Sequence, residues 1–242
     1  MRVKMTLSYD GSHFYGFQVQ NSGVPTVANR LYEVFRALGI DAPFEASGRT
    51  DRGVHATGQV ISLDIPVFWQ RDLEKLRTHI NRRALPHILV HRIEQVADDF
   101  HARYDAKKRT YRYIVSNREP SVFLTPYRLY TAPFDAAAIH EAVKLFEGEH
   151  DFRLFSRTGS DTTDFVRRMY RARFYMHEKD YIFSFEANGY LRSQIRLMVS
   201  FLLKIGYGTV TKEDLKAQLL CQREVVRDPV APNGLYLTRI RY

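Results

Sequence analysis

Residues 47–59, SGRTDRGVHATGQ, place one acid, Asp51, between two arginines, Arg49 and Arg52, in a stretch that also holds Gly48, Gly53 and Gly58. Glycines let a backbone approach a ligand closely. Asp51 is therefore a candidate nucleophile or base, with Arg52 and His55 as candidate substrate-binding groups beside it. The same residues could also form a plain tight turn in which Asp51 caps its own backbone. A second segment bears on that choice. In RSQIRLMVSFLLKIG, residues 192–206, apolar side chains leave no obvious polar face, so the helix they predict is buried. Arg196 is then a cation in a core, and a buried charge persists only when paired and hydrogen-bonded. Its partner could be Asp164, Glu186 or Asp51. Tyr111 and Tyr113 share one face of a predicted strand with Arg112 on the other, as core packing or as a platform on which a base could stack.

The chain has 242 residues, with 36 Lys and Arg against 27 Asp and Glu, for a formal charge of +9. The excess is concentrated in two short runs. Residues 101–118 hold Arg103, Lys107, Lys108, Arg109, Arg112 and Arg118 against Asp105 alone, and residues 167–173 add Arg167, Arg168, Arg171 and Arg173. Tyr104, Tyr111, Tyr113 and Tyr170 are interleaved with them. Basic and aromatic side chains together suit a polyanion whose bases can also stack, which points to RNA, with Lys107, Lys108, Arg109, Arg167 and Arg168 as candidate contacts. A hydrophobic share of 45% and a charged share of 26% exclude a disordered or low-complexity chain. The single cysteine, Cys221, excludes an intrachain disulfide or a cysteine metal cluster and favours a reducing compartment, the cytoplasm. No membrane span or export signal is legible, and no phosphate-binding loop, dinucleotide fingerprint or zinc spacing occurs, so nucleotide-cofactor and metal chemistries are not expected.

The elements that must position these residues follow from hydrophobic period. Val3, Met5, Leu7 and Tyr9 alternate with polar residues as a half-buried strand, and Pro25-Thr26 opens a helix that Gly39 stops. A strand over 60–65, a helix ended by Pro86 and a strand over 88–96 complete the first half. In the second, a strand over 110–116 precedes a helix from Asp135 capped by Gly148. Strands over 171–176 and 181–186, helices over about 192–205 and from Thr211, and a closing strand, LYLTRIRY, follow. Strands and helices in this irregular order predict an α+β fold with largely antiparallel sheet. The halves divide near Asp105, into 1–105 and 106–242.

At these residues the chain resembles the tRNA pseudouridine synthase I (TruA) family, enzymes that isomerise uridine in the anticodon arm. The likeness runs through YDGSHFYGFQVQ, SGRTDRGVHATGQV, FHARYDAKKRTYRYIV, FEGEHDFRLF, NGYLRSQIRLMVSFLLKIG and APNGLYL. It implies that Asp51 is the catalytic carboxylate acting at the ribose, that Arg49 positions the flipped nucleotide, and that Arg196 pairs with Asp51. Tyr111 is implied to stack on the target base and assist proton removal from C5. It also implies two ferredoxin-like (RRM-like) halves related by pseudo-two-fold symmetry, sharing a mixed, largely antiparallel sheet with a central basic cleft. The family is expected to act as a homodimer on tRNA, at uridines 38 to 40, without cofactor or metal. The chain departs from the family pattern at QIR for MVR, at Leu197 where Asn is common and at Ser200 where Gly is common. A non-catalytic RNA-binding protein and a hydrolytic nucleosidase using Asp51 are the competing readings.

Overall fold

The computed structural model describes residues 1–20, 23–157 and 163–242. The chain divides into two compact units, one of Met1–Lys107 with Tyr236–Tyr242, the other of Lys108–Leu235. Both are mixed α+β.

In the first unit, strand β1 (Arg2–Tyr9) buries Val3, Met5, Leu7 and Tyr9 and turns the alternate residues outward. Helix α1 (Val27–Arg36) starts where Thr26 accepts a hydrogen bond from the Asn29 N–H, and it buries Leu31, Val34 and Phe35. Strand β2 (Phe44–Ala46), strand β3 (His55–Asp64), helix α2 (Leu73–Ala84) and strand β4 (Ile88–Gln95) follow. The sheet order is β4-β1-β3 with β2 on the far part of β3, all antiparallel. The last strand, β10 (Leu235–Arg241), lies parallel to the start of β3, pairing Tyr236 with His55 and Leu237 with Ala56. Residues 58–63 of β3 are buried without alternation, the pattern of a strand covered on both faces.

The second unit contains β5 (Lys108–Ser116), β6 (Leu129–Tyr130), α3 (Ala136–Val143), β7 (Gly148–Asp151), β8 (Val166–His177), β9 (Asp180–Ala187), α4 (Gln194–Gly206) and α5 (Lys212–Leu219). Its sheet runs β5-β9-β8-β7, antiparallel, with β6 parallel on β5. Tyr111 and Tyr113 lie opposite Phe185 and Phe183 on the buried face, while Arg112, Ser184 and Arg173 form a row on the other. Phe146, Phe152, Phe155, Phe183, Phe185 and Phe201 fill this core. Gly148 does not cap α3: the helix ends at Val143, a 3-10 turn over Lys144–Phe146 follows, and Gly148, at φ +111°, opens β7. Helix α5 carries the capping box read from Thr211 and Asp214. Among the described residues no helix is long and apolar enough to cross a membrane.

Candidate active site

The loop bearing Asp51 is fixed from several sides within the first unit. The turn closes on its own main chain, with the Val54 N–H donating to the Asp51 carbonyl at 3.1 Å. Gly53 sits at φ +76°, where a side chain is disfavoured. Ahead of Asp51, the Thr50 carbonyl accepts from the Phe17 N–H at 3.0 Å, and the Thr50 hydroxyl makes a buried 2.8 Å hydrogen bond with that of Tyr9. Gly16 presses its backbone on the same turn: a Cβ there would lie 3.0 Å from the Thr50 carbonyl oxygen. At the base of the loop the buried Gln59 accepts from the Ser47 hydroxyl at 2.9 Å and donates to the Gly48 carbonyl at 2.8 Å. The FYGFQ segment and Gln59 thus do the holding. Each net hydrogen bond contributes about 1 kcal/mol, and breaking a buried one costs more because its partner is left unsatisfied.

On this support Asp51 is half-buried and Arg49 and Arg52 are exposed, the Arg52 guanidinium lying 4.1 Å from the centre of the Tyr15 ring. The arrangement presents a carboxylate and two cations from one rigid turn. His55 lies on the inner side: it is 2% exposed, accepts from the Gly11 N–H through Nδ1 at 3.0 Å, and stacks on Tyr236 at 4.7 Å. Sequence spacing places it with the binding residues, and the fold places it behind them.

In the second unit α4 buries eleven of its thirteen residues, the exceptions being Arg196 and Lys204. Arg196, in the first turn, is half-buried and not enclosed. Its Nε donates to the Val230 carbonyl at 2.7 Å. Of the acids that sequence reading offers as its partner, Asp164 lies 3.4 Å from Arg167, and Glu186 lies 3.6 Å from Lys108 and 3.4 Å from the Thr110 hydroxyl. Tyr111 is 7% exposed and meets the Tyr190 ring edge to face at 5.1 Å. Burial, then the neighbouring Tyr111 and Glu186, push the Tyr190 hydroxyl well above its ordinary pKa, so it remains a neutral phenol.

The basic residues divide by exposure. Lys107 and Arg168 are exposed, whereas Lys108, Arg109 and Arg167 are half-buried. The Lys108 ammonium lies 4.3 Å from the centre of the Tyr170 ring, the Arg109 guanidinium donates to the Asn188 carbonyl at 2.8 Å, and Arg167 donates to the Val166 carbonyl at 2.6 Å. Asn188, which sequence reading passes over, also accepts from the Arg168 N–H at 3.0 Å through its side chain. It thereby ties two expected RNA-contacting residues together, and its place at the start of the NGY stretch is the available signal. Among the described residues no group of three or more His, Cys, Asp or Glu could hold a metal ion.

The sequence profile described as tRNA pseudouridine synthase matches residues 5–105 and 142–242. The chain belongs to this family. It is similar to tRNA pseudouridine synthase A of Wolinella succinogenes, 39% identical over 236 residues, covering 98% of this chain and 92% of the relative. The same-named protein of Campylobacter jejuni subsp. doylei is 38% identical over 244 residues, covering all of both chains. That of Helicobacter pylori is 33% identical over 243 residues, covering 99% and 98%. Leu197 and Ser200, the positions expected to depart from the family pattern, are both buried in α4, 2% and 7% exposed.

Proposed function

We propose that this chain converts uridine to pseudouridine in the anticodon arm of tRNA, at positions 38 to 40, with Asp51 as the reacting carboxylate. Uracil's N1–C1′ bond breaks, the base turns, and a C5–C1′ bond forms; C5 loses a proton and N1 gains one, so nothing is oxidised and mass is conserved. Attack on C1′ and removal of a ribose proton to give a glycal both use one carboxylate. In this reading Arg196 pairs with Asp51, Arg49 positions the flipped nucleotide, and Tyr111 stacks on the base. Extruding a base costs a few kcal/mol and stacking on an aromatic ring returns about 1–3 kcal/mol, so one well-placed tyrosine makes the flipped state attainable. Arg52, His55, Lys107, Lys108, Arg109, Arg167 and Arg168 complete the substrate-binding set, His55 through the loop that it braces.

The observation that carries this reading is the built support under Asp51, in a member of the tRNA pseudouridine synthase family: the turn is held by Phe17, Tyr9 and Gly16 and flanked by exposed Arg49 and Arg52. The architecture is read as two ferredoxin-like halves. Support comes from the β-α-β-β-α-β order of the first unit with strands in the order β4-β1-β3-β2, and from the matching β5-β9-β8 order of the second. The assembly is read as a cytoplasmic homodimer that needs neither nucleotide cofactor nor metal.

The reading is tested by treating a full-length tRNA transcript bearing uridine at 38, 39 and 40 with the protein and mapping pseudouridine by carbodiimide modification and primer extension. Stops confined to positions 38 to 40 are expected, and stops only elsewhere would overturn the target assignment. Neutralising Lys107, Lys108 and Arg109 together to glutamine weakens tRNA binding. It also flattens the dependence of log Kd on log salt, by about 0.9 for each phosphate of a duplex that is no longer neutralised and by about 0.7 for each one on a single strand. An unchanged slope in a filter-binding titration would show that this run faces away from the RNA.

A further inference from the structure

Residues 230–234 join several elements of the second unit at one point. Val230 grips Arg196 twice: its carbonyl accepts from Nε at 2.7 Å, and its N–H donates to the Arg196 carbonyl at 3.3 Å. The next carbonyl, that of Ala231, accepts from the Tyr113 hydroxyl at 2.6 Å. The Asn233 side chain donates to the Thr125 and Arg128 carbonyls at 2.7 and 2.8 Å. Gly234 lies hard against β5, because a Cβ on it would sit 2.6 Å from the Ile114 carbonyl oxygen and 2.7 Å from the Tyr113 ring. The turn is therefore seated on β5 and tied to the 125–128 segment before it meets Arg196.

We propose that Tyr113 and Asn233 are positioning residues that act through Arg196: by holding the 230–234 turn they set the Val230 carbonyl, and with it the direction in which the guanidinium presents its Nη groups. The inference rests on the reading of Arg196 as partner of the reacting carboxylate. A guanidinium is a planar fork, so fixing Nε fixes the plane of both Nη groups, and bidentate pairing with a carboxylate depends on that plane. Tyr113 is wholly buried beside Phe183 in the register, a place that a phenylalanine ring would fill equally well. What the hydroxyl adds is its bond to Ala231. The Arg196 charge is also felt at that hydroxyl, where it opposes the upward push of burial on the phenol, which agrees with the two side chains sharing one neighbourhood.

The test is a cycle of Tyr113→Phe and Arg196→Lys, read by single-turnover isomerisation rate, tRNA Kd and Tm. Lysine keeps the charge but lacks the fork that Val230 orients. Tyr113→Phe is expected to slow the reaction by about ten-fold, the scale of a small misplacement, with tRNA Kd within about two-fold. Added to an already slow Arg196→Lys, it should change the rate by less than about two-fold while lowering Tm as much as it does in the parent. Equal fold-losses of rate in both backgrounds would overturn the proposal, leaving Tyr113 a packing residue. A parental rate for Arg196→Lys would overturn the reading of Arg196 and the proposal with it, a result distinct from the first. Asn233→Ala, which removes both side-chain donors, is expected to follow the same pattern and serves if Tyr113→Phe does not fold.

Discussion

Replacing Asp51 by asparagine is expected to reduce pseudouridine formation by at least about 10³-fold, as removal of a reacting group does, while tRNA Kd changes no more than a few-fold. Asparagine nearly matches aspartate in size. The turn at residue 51 closes through the Asp51 carbonyl and the Val54 N–H, and it is braced by Phe17, Tyr9 and Gly16, so its main-chain supports survive the change. What is lost is the negative charge, and an amide neither attacks C1′ nor removes a ribose proton. Affinity persists because most contacts that position a protein on nucleic acid are to phosphates, and the exposed Arg49, Arg52, Lys107 and Arg168 are untouched. Nucleoside analysis of single-turnover reactions, beside filter binding, reads both quantities. Turnover within ten-fold of the parent would remove Asp51 from the reaction, and a matching collapse of Kd would make it a binding residue.

The second large effect is on the fold beneath the site. Gly11→Ala puts a Cβ where the Val54 carbonyl oxygen would be 2.1 Å and its carbon 2.4 Å away, a clash that no side-chain motion relieves. Val54 is the residue whose N–H closes the Asp51 turn, and the Gly11 N–H itself donates to the buried His55. Separating the two segments therefore breaks the hydrogen bond to His55 and displaces Asp51 together. Overpacking of this kind costs about 3 kcal/mol, which for a chain of this size lowers Tm by roughly 6–12 °C. Activity should fall further than the folded fraction alone accounts for. Gly189→Ala is the control: its Cβ would meet Arg167 Nε at an ordinary 3.5 Å, and its stability should stay within about 0.5 kcal/mol of the parent. A scanning calorimetry trace for Gly11→Ala that overlays the parent would refute the close packing of the Asp10-Gly11 turn on β3.

Local signals carry much of this fold. The alternation of Val3, Met5, Leu7 and Tyr9 predicts β1, Thr26 marks the start of α1, and the Thr211 and Asp214 pair marks that of α5, each found within a residue or two. These are signals that a short window contains whole. Three short strands, β2, β6 and β7, are not legible, since two to four residues hold too few alternations to show a period. Nor is the partner of β10: its composition predicts a strand, but its parallel pairing with the start of β3 joins residues about 180 apart in the chain. Gly148 misleads for a related reason, because a glycine after a helix and a glycine opening a strand look alike in sequence.

The candidate site is legible in its chemistry and less so in its support. Asp51, Arg49 and Arg52 stand out because a lone acid between arginines and glycines is unusual in composition, and Arg196 because it interrupts an apolar helix. The structure adds the groups that hold them: Asn188, marked only by its place before Gly189, and Gln59, Val230 and Asn233, which show no local signal beyond being polar or apolar in a loop or strand. His55 is near the candidate acid in sequence, but spacing alone does not show that its ring is buried and stacked on Tyr236, a residue about 180 positions away.

Tritium release from a [5-³H]uridine-labelled tRNA transcript reads reattachment of the base through C5, because C5 gives up its hydrogen only when that bond forms. Tritium is expected to pass to water in proportion to the uridines at positions 38 to 40, from RNA otherwise unchanged in mass. Free labelled uracil with abasic RNA, or tRNA that binds and retains all its tritium, would contradict reattachment through C5.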